Sequence, residues 1–150
     1  MVFELLPTVS LRSRSFNILQ APRDLSIQSL NRNLNLQLYK VLYIYGNYSG
    51  VLSKLDRWFQ ALEIRRAFTP FQLMTVLEEA RHSLILIEHD PTIYEDAAEM
   101  LEYVSRALSD AAKRRLCCYT RHGLIHSWGI WPGMPIECIS TKVREHHQGL

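Results

Sequence analysis

A chain of 150 residues with 47% hydrophobic and 21% charged residues has the balance of one ordinary globular domain, and at this size folding requires neither a metal nor a disulfide. The net charge of +2 implies no strong field for nucleic acid or acidic lipid. The three cysteines, Cys117, Cys118 and Cys138, are odd in number and two are adjacent, which argues against a disulfide framework and for a reducing compartment.

The N-terminal residues 1–35 are rich in Ser, Asn, Gln, Leu and Arg and read as a loosely ordered extension. Arg12, Arg14, Arg23 and Arg32 make it mildly basic, in the manner of a solvated tail rather than an anion-binding patch. Leu34 to Leu38 alternates Leu with Asn or Gln, but Asn is a poor strand former. Met1 to Leu6 is too short for a signal peptide, and its arginines follow rather than precede it. The longest apolar run, Val41 to Tyr45, falls far below the roughly 20 residues that span a bilayer. A cytoplasmic protein with no membrane contact is expected.

Regular structure is expected from Tyr39. Val41 to Tyr45 is a short β-rich run ending at Gly46 and predicts a buried strand. Gly46-Asn47-Tyr48-Ser49-Gly50 is a turn. Val51, Leu52, Leu55, Trp58, Phe59 and Leu62 fall on one helical stripe. Glu63 to Ala67 reads as a second strand. Thr69-Pro70 is a cap followed by a first-turn proline, opening a helix whose apolar face is Phe71, Met74 and Leu77, with Leu73 a further candidate. Leu84-Ile85-Leu86-Ile87 is apolar at consecutive positions, as a central parallel strand covered on both faces must be. Asp90-Pro91 opens a long amphipathic helix through Ile93, Ala97, Met100, Leu101, Val104, Leu108 and Ala111 to about Arg114. Leu116 to Tyr119 is the next strand. The pattern predicts an α/β class fold: a three-layer, open, mainly parallel sheet built from βα units, with irregular N- and C-terminal extensions. The expected division is an extension over 1–35, the α/β core over 36–115 and an irregular tail over 116–150.

Ligands of open α/β sheets bind beyond the carboxyl ends of the strands, where two stretches stand. Gly46, Asn47, Ser49 and Gly50 lie in a strand-to-helix loop whose backbone N–H groups are candidates for phosphate binding. A phosphate loop also needs a Lys and a Ser or Thr at its end, where this chain has Val51-Leu52, and its glycines are one residue too close. The second stretch is Glu88-His89-Asp90, candidate catalytic residues. A carboxylate at the end of such a strand can hold Mg²⁺, His89 can act as a base, and Asp90 serves equally as a helix cap.

The apolar run followed by Glu88-His89-Asp90 resembles the Walker B end of ABC-type and RecA-like ATPases. Tyr43-Ile44-Tyr45-Gly46, Arg65-Arg66-Ala67-Phe68-Thr69, Leu77-Glu78-Glu79-Ala80, Glu88-His89-Asp90-Pro91 and Tyr94-Glu95-Asp96-Ala97 together resemble small, mainly archaeal RecA-like, P-loop-like proteins of unassigned function. The resemblance covers Tyr39 to Tyr119. It implies a degenerate P-loop-like domain, non-catalytic, that binds a protein or DNA partner, without a cofactor. The alternative it implies is a Mg-dependent ATPase that uses Glu88 with ATP.

Cys117, Cys118, His122, His126, Cys138, His146 and His147 crowd the tail, but they lack the paired short spacings of a zinc site, and no metal is expected. The tail has another oddity. Read two bases later, Trp131-Pro132 and Met134-Pro135 each encode Ala and Trp128-Gly129 encodes Gly. The neighbouring codons then permit an amphipathic helix and an edge strand across Ser127 to Val143, and a stop across Arg144-Glu145. The expectation is that residues after about Arg115 are translated out of frame.

Overall fold

The computed structural model describes residues 2–6, 9–56, 62–121 and 139–142. β1 (Val2–Leu6) and β2 (Val9–Arg12) form an antiparallel hairpin. β3 (Phe16–Gln20) leads into α1 (Arg23–Arg32) and a 3₁₀ turn over Leu34–Leu38. β4 (Val41–Tyr45), a 3₁₀ turn over Leu52–Lys54 and β5 (Leu62–Arg66) follow. Next come α2 (Pro70–Glu79), β6 (Leu84–Glu88) and two 3₁₀ turns, Pro91–Tyr94 and Ala98–Met100. α3 (Leu101–Arg114), β7 (Leu116–Arg121) and β8 (Ile139–Lys142) complete the described chain.

Six strands make one sheet in the order β5-β4-β6-β7-β3-β8, and each of its pairings is parallel. The expected open α/β sheet is therefore present, and β6 is interior to it, flanked by β4 and β7. Leu84, Ile85, Leu86 and Ile87 are at most 2% exposed, because both faces of their strand are covered. Ile85 and Ile87 pack with Leu42, Ile44, Cys117 and Tyr119 beneath α2 and α3. Leu84 and Leu86 pack with Val41, Tyr43, Leu19 and Cys118 beneath α1 and Val51. Truncating one such side chain to Ala removes roughly 2–5 kcal/mol of stability.

Several expectations hold in detail. Thr69 caps α2 by accepting the Gln72 N–H at 3.2 Å, with Pro70 in the first turn. Asp90 caps the turn that follows β6. The second strand and the strand after α3 form where the sequence puts them. No helix among the described residues is long and apolar enough to cross a membrane.

Other expectations are corrected. Residues 1–35 are not a loose extension at Phe16–Arg32: β3 is buried at every position and sits between β7 and β8. Its two polar residues mislead the sequence reading. Asn17 is 2% exposed, yet its amide Nδ2–H donates to Cys117 O at 3.0 Å and to Arg12 O at 2.9 Å. That bond to Arg12 also anchors the tight turn in which Arg14 takes φ 56°. Leu34–Leu38 is a 3₁₀ turn that buries Leu36 alone. The boundary expected between core and tail at 115/116 falls inside the sheet, because the strand from Leu116 runs to Arg121 and pairs with β6 and β3.

The helix expected from Val51 is a single 3₁₀ turn. Asn31 of α1 explains the difference: it donates to Lys54 O at 3.1 Å and accepts the Asp56 N–H at 3.0 Å, holding that backbone extended. Trp58 and Phe59 of the expected stripe lie outside the described residues, and Leu62 belongs to β5. The long helix begins only at Leu101, because Ala97 (φ −145°, ψ 41°) interrupts it. Of the segment read as out of frame, Ile139–Lys142 pairs with β3, while 122–138 and 143–150 lie outside the described residues.

Candidate functional site

β4 and β6 are neighbours whose connections leave to opposite faces of the sheet. The chain after β4 reaches Val51 on the α1 side, and the chain after β6 reaches Tyr94 on the α2–α3 side. Such a switch point opens the crevice where α/β proteins bind ligands. The pairing of Val41 with Leu84 and Ile44 with Ile87 sets the two strand ends level. It thereby brings Gly46–Gly50 against Glu88 and Asp90.

Glu88 is only 7% exposed. Its Oε2 accepts the Tyr43 hydroxyl at 2.8 Å and the Ser49 hydroxyl at 2.6 Å. Its Oε1 accepts the Gly50 N–H at 3.1 Å. Asp90 is equally buried. Its Oδ2 accepts the backbone N–H groups of Asn47 at 2.8 Å and Tyr48 at 3.2 Å. Its Oδ1 accepts the N–H and hydroxyl of Thr92 at 2.9 and 2.6 Å. A Cβ on Gly46 would come within 2.8 Å of the Asp90 Cβ, so the close approach requires glycine.

The loop turns its N–H groups inward, as an anion-binding loop does. The anions it meets are the chain's own carboxylates. Burial tends to raise the Asp90 pKa, but the bonds from Thr92, Tyr48 and Asn47 outweigh it and hold the carboxyl below its ordinary value. Burial, and then the Glu88 charge, push the Tyr43 phenol well above its usual range, so it stays a donor.

His89 does not join the two acids. Its backbone N–H continues the ladder to Thr120 O, and its Nδ1 lies 2.6 Å from the Tyr119 hydroxyl. Its ring stacks on Tyr94, at 6.4 Å between centroids. Burial raises the Tyr94 phenol to about 12 against a hydrogen bond with Tyr119. The expected trio of Glu88, His89 and Asp90 is therefore divided: two residues grip the Gly46–Gly50 loop, and the third closes an aromatic cluster against β7.

Residues outside the expected set complete the site. Tyr43 and Thr92 saturate the acids. Arg66, at the end of β5, donates from Nε to Gly46 O at 3.1 Å and from Nη2 to Asn47 O at 2.7 Å. Its guanidinium sits 4.4 Å from the Phe68 ring centroid and 5.6 Å from that of Tyr45. Arg23, the first residue of α1, lies against Gly50. The sequence signal for Arg66 was only its place at a strand end; that for Tyr43 depends on strand register.

Cys117 and Cys118 are buried on opposite faces of β7. Burial raises both thiols to about 12, so neither is a thiolate at neutral pH. Opposed directions prevent the pair from sharing one metal ion. His122, His126, Cys138, His146 and His147 lie outside the described residues.

The sequence is 35% identical over 81 residues to an uncharacterised protein of Archaeoglobus fulgidus, a stretch covering 54% of this chain and 40% of that protein. The chain thus spans less than half the length of the curated relative it matches. No protein-family model matches the sequence.

Proposed function

We propose that this domain is a non-catalytic, degenerate P-loop-like binding module whose phosphate position is filled from within. One observation carries the reading: the inward N–H groups of Asn47, Tyr48 and Gly50 are taken by Asp90 and Glu88. Both oxygens of Glu88 are engaged by the chain's own donors, which compete with any Mg²⁺ for the carboxylate. Val51-Leu52 stands where the phosphate-binding Lys would be. The residues present do not fit Mg-ATP.

The partner is proposed to dock on the rim of the same loop. Tyr48 is 79% exposed and Phe68 47% exposed, and Arg66 lies between the loop and Phe68. Among the described residues no carboxylate pairs with Arg23 or Arg66. Exposed rings beside uncompensated arginines favour single-stranded DNA, through base stacking and phosphate attraction.

Two titrations test the reading. Calorimetry with Mg-ATP up to about 1 mM is expected to give no saturable heat. Binding that vanishes in Glu88→Gln would establish the Mg-ATP alternative instead. Fluorescence anisotropy with a labelled oligo-dT is expected to show salt-sensitive binding that Tyr48→Ala weakens roughly tenfold. Unchanged anisotropy with the oligonucleotide would shift the partner to a protein.

A further inference from the structure

β5 is the terminal strand of the sheet. Its inner edge pairs with β4, and no described strand pairs its outer edge. Glu63 to Arg66 are all exposed, and Ile64 is 49% exposed. An open edge of this kind presents a row of free backbone donors and acceptors.

The direction of those groups can be read from the ladder. The Ala67 N–H donates to Tyr45 O at 2.8 Å, so Ala67 faces β4. Backbone groups alternate sides along a strand, so Arg65 and Glu63 also face β4. Leu62, Ile64 and Arg66 therefore turn their N–H and C=O groups outward.

Side chains alternate as well, between the two faces of the sheet. Glu63 bonds to His82 Nε2 at 2.9 Å and Arg65 to Glu79 at 3.4 Å, both on the α2 side. Ile64 stands on the opposite face.

The segment Leu62-Glu63-Ile64-Arg65-Arg66 is self-complementary when paired antiparallel with itself about Ile64. Ile64 then meets the partner copy's Ile64, and the two exchange both backbone bonds. Glu63 meets the partner copy's Arg65, and Arg65 its Glu63. These are non-hydrogen-bonded positions, where facing side chains come closest, so each opposite-charge pair is well placed. A two-fold axis perpendicular to the sheet generates this arrangement, and a closed two-fold interface needs the same patch on both copies.

From this match of charge and backbone direction we infer that two copies of the chain associate through β5, joining their sheets into one continuous sheet. The occupant of the open edge is a second copy of this chain. The paired segment supplies about six main-chain hydrogen bonds, two at each outward-facing position.

Light scattering after size-exclusion chromatography of the full chain, over a concentration series, tests the inference. A concentration-dependent dimer is expected. Glu63→Arg and Arg65→Glu each set like charges opposite at two symmetric places, and each is expected to weaken dimerisation roughly tenfold. The double variant E63R/R65E restores opposite charges in the same register and should restore the dimer. Ile64→Pro removes an outward N–H and no bond to β4, so it should give a folded monomer by circular dichroism. A wild-type monomer up to about 1 mM would overturn the inference. So would a dimer indifferent to Ile64→Pro, or single charge reversals that the double variant fails to rescue.

Discussion

Asp90 and Asn47 are joined across the carboxyl end of the sheet, the carboxylate accepting the Asn47 backbone N–H at 2.8 Å although 43 positions separate them. This bond ties the loop after β4 to the strand end of β6. Asp90 titrates below its ordinary value when folded. A depressed carboxylate stabilises the fold fully above the ordinary Asp value, and that contribution is lost as pH falls toward the folded value. Urea unfolding between pH 7 and pH 2 should therefore show an acid loss of stability. Asp90→Asn should lower stability at pH 7 by about 1–3 kcal/mol and flatten that acid limb. An acid limb of unchanged steepness in the variant would assign the effect to other carboxylates.

The two loop glycines should respond differently to alanine. At Gly46 the new methyl meets the Asp90 Cβ at 2.8 Å and its Oδ2 at 2.7 Å, atoms fixed by four hydrogen bonds. Gly46→Ala should cost about 1–3 kcal/mol and speed amide exchange at Asn47 and Tyr48. At Gly50 the methyl meets the far end of the exposed Arg23 side chain, which can move. Gly50→Ala should change stability by less than about 1 kcal/mol. Equal losses at the two sites would contradict the geometry.

Cys117 and Cys118 should be inert to Ellman's reagent in the native protein. Their thiols are buried and titrate at about 12, far above the working pH. In a Cys138→Ser background, no native labelling and two labelled thiols in denaturant are expected. Rapid native labelling would mean that β7 opens readily.

Thr69→Ala removes the cap of α2 and should cost about 1 kcal/mol, read as a shift in urea midpoint without a change in slope. Thr69→Ser keeps the hydroxyl and should recover most of the loss.

Patterns carried by single segments were legible in the sequence. Leu84 to Ile87 announces a strand buried on both faces, and Thr69-Pro70 announces a helix start, because the signal and its cause lie within a few residues. β3 was not legible, because Asn17 and Gln20 read as surface residues until Cys117, 100 positions away, supplies a partner for Asn17. The turn at Leu52–Lys54 was misread as a helix because Asn31, distant in the chain, governs that backbone. The candidate stretches were both found, but the capture of loop N–H groups by Glu88 and Asp90 depends on strand register, which no local pattern encodes. His89 looked like part of the same constellation because the three residues are adjacent, and adjacent residues at a strand end point apart.

The position of β3 between β7 and β8 also bears on how the chain is made. Phe16–Gln20 is translated roughly a hundred residues before its partner Cys117–Arg121, and earlier still than Ile139–Lys142. Helix α1 and the strand pair β4–β5 can begin to organise during synthesis, but β3 stays without its neighbours until β7 has been made. The sheet therefore closes late, and a nascent chain stalled before Leu116 would hold an exposed apolar strand suited to chaperone capture.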